Sequence, residues 1–160
     1  WSGGKEEQGG YKNGEKHGLW TEWYDNENVK SRGTYDEGIM NGKWTFYFEN
    51  GVKEKEGNLL NGKADGLWVF YDKKANKVQE GSFSKGSKEG KWSAWFADGR
   101  LSEGYYLNGK KDATWTSWWD NQKNLKEMQG SYKKGKMVNK WYFYDPSGNL
   151  KEIRYFSPSF

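Results

Sequence analysis

The sequence predicts an all-β fold, an elongated single-layer antiparallel β-meander built of about six 24-residue hairpin repeats. Three observations carry this expectation. Six tryptophans, Trp20, Trp44, Trp68, Trp92, Trp115 and Trp141, follow one another at separations of 24, 24, 24, 23 and 26 residues. Only 33% of residues are hydrophobic and mean hydropathy is -1.22, yet aromatics make up 19% with 11 Trp. Too few aliphatic residues are present for a deep two-layer core, whereas each aromatic ring buries on the order of 150–250 Å². Finally, no stretch of useful length shows the i, i+3, i+4, i+7 apolar spacing of a helix.

The first residues already belong to the pattern: GKEEQGGYKNG from Gly4 parallels GVKEKEGNLLNG from Gly51. Residues 1–8 therefore read as the trailing half of an upstream repeat. Six repeats fill 9–156, starting near 9, 33, 57, 81, 104 and 130, and 157–160 form a tail. Each repeat opens with a strand carrying Gly-x-Tyr, as Gly33-Thr34-Tyr35. A turn bracketed by glycines follows, such as Gly38 with Gly42 or Gly62 with Gly66. The second strand is the clearest, Lys43-Trp44-Thr45-Phe46-Tyr47-Phe48, rich in residues that suit a pleated surface. Glu49-Asn50-Gly51, Ala97-Asp98-Gly99 and Asp145-Pro146-Ser147-Gly148 carry the chemistry of the closing turn. A return strand begins at Val29, Val52, Val78, Leu101, Leu125 or Leu150, giving about thirteen strands in all. Short turns make successive strands antiparallel neighbours.

Alternation assigns the faces. The lead Trp shares a face with the residues two and four positions later, and the third points the other way. That third residue is always aromatic: Trp23, Tyr47, Tyr71, Trp95, Trp118 and Tyr144. The six lead tryptophans read as structural, together with the strand glycines Gly33, Gly57, Gly81, Gly104 and Gly130, which weaken a strand unless a neighbouring Trp ring lies over the bare backbone. The positions that vary between repeats encode a partner. The candidate partner surface is Phe46, Phe48, Phe70, Phe96, Trp118, Trp119 and Phe143.

Chemistry is sparse. There is no cysteine, and His17, read as an exposed residue of the Glu15-Lys16-His17-Gly18 turn, is the single histidine. No nucleophile–base pair, phosphate-cradling loop or metal-ligand cluster stands out, so no catalytic, cofactor-binding or metal residue is assigned and the chain reads as a non-enzyme. Glu54 and Glu56 read as cross-strand partners of lysines. Net charge is +4 with pI ≈ 9.0, unevenly spread: residues 1–80 hold 12 basic and 14 acidic side chains (−2), residues 81–160 hold 14 and 8 (+6). Only Arg32, Arg100 and Arg154 are Arg; scattered Lys suits a solvated coat better than the Arg forks of a nucleic-acid reader, and none is expected as partner. No apolar run approaches the roughly 20 residues of a membrane helix.

The pattern Gly-x-Tyr…Gly…Gly-x-Trp-x-x-Tyr…Gly, in six copies over nearly the whole chain, resembles the MORN repeat family, specifically its bacterial variant (YwqK-type) repeats. The resemblance implies a hairpin meander with a groove on one side, serving protein–protein contacts and scaffolding, with membrane-lipid association proposed for some members. Departures are Ala113 and Asn139 in place of the second turn glycine and Leu59 in place of the aromatic after Gly57; Ala tolerates left-handed geometry poorly, so the fifth turn is expected to differ. Strings such as GKWTFYFENG are also similar to choline- and cell-wall-binding repeats, where aromatics cage a quaternary ammonium or stack on sugars.

The expectation is a protein-interaction or scaffold module without cofactors, binding another protein or further repeats of its own assembly through the aromatic-rich face or the open sheet edge near Trp1. The alternatives are a cell-surface carbohydrate- or choline-binding module and lipid association through the basic second half. Absent cysteine and a start at Trp1 point to bacterial export, periplasmic or surface-associated.

Overall fold

The computed structural model describes residues 6–120 and 122–157. Trp1, the edge contact expected beside it, and residues 158–160 of the tail lie outside the described residues. The described chain is all-β. Its strands are β1 (Glu7–Lys12), β2 (Glu15–Trp23), β3 (Val29–Asp36), β4 (Ile39–Tyr47), β5 (Lys53–Leu60), β6 (Lys63–Tyr71) and β7 (Lys77–Ser84). They continue as β8 (Ser87–Trp95), β9 (Leu101–Leu107), β10 (Lys110–Asp120), β11 (Leu125–Lys133), β12 (Lys136–Tyr144) and β13 (Leu150–Phe156). They form one open sheet in sequence order, the antiparallel meander that short connections dictate. Contacts group the chain into two compact units. The first comprises residues up to Lys77 with Phe83–Gly86; the second comprises Val78–Ser82 and the chain from Ser87 onward.

Both kinds of turn follow from backbone chemistry. Within a repeat, two residues with positive φ join the strands, as Asn61 (50°) and Gly62 (73°) or Asn108 (50°) and Gly109 (76°). This is the type I′ geometry whose twist matches that of the flanking strands. The closing turn is a longer loop with its own cap: the Gly51 amide donates to the Phe48 carbonyl and the Phe48 amide to the Val52 carbonyl. Side-chain acceptors complete these loops, with the Val52 amide donating to Asn50 Oδ1 and the Ser147 and Asn149 amides to Asp145 Oδ1.

The second glycine of the bracket is not a turn residue. Gly42 and Gly66 lie inside β4 and β6, with φ of 72° and 73°. Pairing jumps there from Gly57↔Trp68 to Asn58↔Asp65, so the second strand bulges by two residues where glycine sits in the left-handed region. Ala113 (56°) and Asn139 (61°) hold the same bulge, which replaces the expected irregular fifth turn by a regular one with an unfavourable residue in the strand beyond it. His17, likewise, belongs to β2 and not to a turn; its Nδ1 lies 3.4 Å from Asp36 Oδ1.

The core is a row of indoles, each lead Trp being between 0 and 7% exposed. Each lies flat on the glycine of the preceding strand. A Cβ added to Gly33, Gly57, Gly104 or Gly130 would stand 2.1–2.3 Å from Cδ2 of Trp44, Trp68, Trp115 or Trp141, inside the ring's own volume. The indole N–H then donates to the carbonyl of the next residue: Thr34 for Trp44 and Asn58 for Trp68, both at 3.0 Å, and Ser131 for Trp141 at 3.1 Å. Glycine thus admits the ring and the neighbouring carbonyl satisfies its polar end.

In the first unit Trp44, Leu59 and Trp68 form the buried cluster, with Tyr35, Met40, Phe46 and Phe70 against it. In the second, Tyr106 stands edge-on to Trp92 (6.0 Å) and Trp115 (5.4 Å), and Tyr132 to Trp115 (6.0 Å) and Trp141 (5.0 Å). The opposite face mixes ion pairs with the third-position aromatics, Tyr71 Oη donating to Glu56 Oε1 at 3.3 Å. Glu56 pairs there with Lys53 (2.8 Å) and Lys43 (3.4 Å), and Glu103 with Lys91 (2.9 Å). Lysine hydrogen bonding and charge hold the Glu56 carboxyl below its ordinary range.

Candidate functional site

The repeats are of two kinds, and the difference lies entirely on the face of the lead Trp. In repeats led by Trp20, Trp92 and Trp115, the residue four before the Trp is Lys16, Lys88 or Lys111. The residue two after it is Glu22, Ala94 or Ser117, and the bridging aromatic on the next strand is Tyr35, Tyr106 or Tyr132. In those led by Trp44, Trp68 and Trp141, the same three places hold Met40, Ala64 or Met137, then Phe46, Phe70 or Phe143, then Leu59, Phe83 or Phe156. The three places change together because they touch one another.

In the apolar kind the Phe packs onto the indole. Phe46 stacks between Trp44 (5.8 Å) and Trp68 (6.3 Å), bridging the gap that Leu59 leaves in the aromatic row. In the lysine kind an ammonium covers the rings instead. Lys16 Nζ stands 4.1 Å from the Trp20 ring and 5.4 Å from Tyr35. Lys88 stands 3.8 Å from Trp92 and 5.1 Å from Tyr106, and Lys111 4.0 Å from Trp115 and 5.0 Å from Tyr132. These are cation–π distances.

What neutralises the lysine differs. Lys16 Nζ donates to Glu7 Oε2 at 2.6 Å, and that hydrogen bond raises its pKa. Lys88 reaches only the neutral Gln79 Oε1 at 3.3 Å. Among the described residues no carboxylate lies within ion-pair distance of Lys88 or Lys111. Desolvation pulls both ammoniums below the ordinary lysine value, and for Lys88 the Lys111 charge adds to it. Beside them, where Ala94 stands in place of the Phe of an apolar repeat, the sheet carries a depression of about 130 Å³. It is lined by Trp92, Ala94, Ser102, Tyr106, Lys111 and Trp115, with Gln79 and Phe96 also contributing. Ser117 Oγ donates to Ser102 Oγ at 3.0 Å beneath this row.

The seven candidate residues sit in different local environments. Phe46 and Phe70 pack in the core of the first unit, and Phe48 is half-buried. Phe143 packs on Trp141 (6.5 Å) under the Arg154 guanidinium (4.8 Å). Trp119 spends its N–H on the Tyr144 carbonyl (3.1 Å), and Trp118 points to the opposite face, donating to Asn124 Oδ1. Phe96 is the one largely exposed, at 49%, and Arg100 spans it (5.3 Å) and Trp119 (6.0 Å). Reading by alternation missed Lys88 and Lys111, although their regular place four residues before a lead Trp was a signal.

Comparison with protein-family models matches the MORN repeat variant at residues 16–37, 40–61 and 137–157. Each matched segment includes the type I′ turn of a repeat or the strand leading from it. No curated protein sequence matches the chain.

Proposed function

We propose that this chain, which belongs to the MORN repeat family, is a non-enzymatic module that binds a protein partner on the lead-Trp face of its sheet. MORN repeats are in general protein- or membrane-interaction modules. The observation that carries the reading is how the residues divide. Lead tryptophans and the strand glycines beneath them repeat without change and are consumed by the hairpins themselves, whereas the neighbouring columns switch between phenylalanine, small polar residues and lysine. A surface that is constant in architecture and variable in chemistry suits recognition of one partner by side-chain complementarity.

The same geometry weighs against an aromatic cage for choline or a stacking platform for sugars. One face of each lead indole rests on a glycine backbone, and in three repeats a lysine of the chain itself covers the ring. A quaternary ammonium meets no open ring face there. The test is site-specific photo-cross-linking in extract of the native source. The probe is placed at Phe96 on the lead-Trp face and, in parallel, at Thr45 on the opposite face. A discrete protein adduct from the first position and none from the second supports the proposal. Adducts from neither, with sedimentation on anionic lipid vesicles instead, would replace it with the membrane reading.

A further inference from the structure

We infer that the depression beside Ala94 is a binding site for a carboxylate side chain of an acidic peptide segment, paired with the Lys111 ammonium that lines it, while Lys88 two strands away adds longer-range attraction. The inference rests on the protein-partner reading above and names the chemistry that partner presents. The argument comes from the molecule's own first repeat. There the equivalent lysine, Lys16, is paired at 2.6 Å with Glu7 from the preceding strand, and Glu22 occupies the place two after the lead Trp, accepting from Ser31 Oγ at 3.0 Å. The row is thus built to hold carboxylates beside a ring-covering lysine.

In the second unit every internal carboxylate of that row has gone. Gln79 and Ser102 stand where Glu7 stands, and Ala94 and Ser117 where Glu22 stands, while the lysines and their ring contacts remain. Two half-buried ammoniums, on β8 and β10 with β9 between them, lie roughly 10 Å apart along the sheet by strand spacing. Next to them lies a small cavity lined by a hydroxyl and an amide. One carboxylate-bearing side chain fills such a space and supplies the counter-charge that the fold omits. Phe96 at the rim offers an apolar surface to the flanking residues of the segment.

The experiment titrates the protein with a blocked hexaglutamate peptide, following tryptophan fluorescence, beside hexaglutamine and inorganic tripolyphosphate. Saturable binding of hexaglutamate alone is expected. Lys111→Met weakens it about tenfold, the usual worth of a charge-assisted hydrogen bond, and Lys88→Met, which removes only a more distant charge, about threefold. Methionine already stands in this place as Met40 and Met137, so the fold accepts it. Ala94→Glu, which restores the arrangement of Glu22, abolishes binding, while Lys110→Met, at the exposed first residue of β10, leaves it unchanged. Undiminished affinity in both lysine-to-methionine variants, an equal loss in Lys110→Met, or no binding by the parent protein overturns the inference. So does tripolyphosphate binding tighter than hexaglutamate, which would mark a phosphate site. If the Phe96 cross-link to a protein survives in Lys88→Met and Lys111→Met, the inference fails while the wider function stands.

Discussion

Gly33→Ala adds one methyl group, and the structure sets its cost. The new Cβ would lie 2.1, 2.3 and 2.5 Å from Cδ2, Cε2 and Cγ of Trp44, where ordinary contacts begin near 3.4 Å. Either the strands part or the indole leaves. Parting the strands overpacks a tight site, at roughly 1–3 kcal/mol. Displacing Trp44, which is 1% exposed, forfeits its burial, about 4–6 kcal/mol for roughly 150–250 Å² at about 25 cal/mol per Å². It also breaks the 3.0 Å hydrogen bond to the Thr34 carbonyl and the 5.2 Å edge contact with Tyr35, about 0.5–1.5 kcal/mol each. The first route is cheaper and, with three ring atoms inside contact distance, its upper range sets the expected loss at about 2–3 kcal/mol. At roughly 2–4 °C per kcal/mol for a chain of this size, the melting midpoint drops by about 4–12 °C. The control is Gly10→Ala, also in a strand, where the nearest atom to the new Cβ is the His17 carbonyl oxygen at 3.4 Å and φ is not in the left-handed region. That variant melts within about 2 °C of the parent. Thermal unfolding followed by tryptophan emission, with urea titration in support, reads both. If Gly33→Ala melts with the parent, or Gly10→Ala falls as far, indole-on-glycine packing does not hold the hairpin.

Ala113 adopts φ of 56° in a bulge that four other repeats build with glycine at 68–76°. Ala113→Gly therefore raises stability by about 1 kcal/mol in urea unfolding, whereas Asn139→Gly is near neutral because asparagine tolerates that region. Lys134, φ 50°, opens a type I′ turn that asparagine opens in Asn61 and Asn108; Lys134→Asn adds about 0.5 kcal/mol on the same assay. The Asn149 amide N–H, and then its side chain, hold the Asp145 carboxyl below the usual range. A depressed folded value means stability that is present above the unfolded pKa of about 3.9 and lost as pH falls through the folded value. The melting midpoint should hold steady down to about pH 5 and fall below about pH 4. Asp145→Asn should make that fall shallower in a pH series of thermal melts.

Much of this was legible in the residues. The spacing of tryptophans fixed the repeat, alternation placed the third aromatic on the opposite face, and the weakness of a bare strand glycine demanded a covering ring. The bulge was not legible, because a turn and a bulge ask the same thing of a glycine, a positive φ, and only the pairing Gly57↔Trp68 followed by Asn58↔Asp65 tells them apart. That ambiguity hid more than one position. Taking Gly66 and its equivalents as turn residues removed the place four before each lead Trp from any strand face, and Lys88 and Lys111 went with it. The candidate aromatics suffered from the opposite problem. Variation at Phe46 and Phe70 signalled a change of packing partner on the lead-Trp face, and exposure is not a property that variation alone reveals.

The pairing of indole and glycine is complete within twelve residues, from Gly33 to Trp44 or from Gly130 to Trp141, so each hairpin carries its own lock and key. In the language of construction it is a cassette, and its compatibility rule is written at the joints. Removing residues 104–129 would bring Tyr132 to the place Tyr106 holds beside Trp92 and Lys88, a like-for-like junction. Removing residues 33–56 would offer Lys16 and Trp20 a leucine, Leu59, where they now meet Tyr35. Repeat number is then free to change inside a run of one kind and constrained where the two kinds meet.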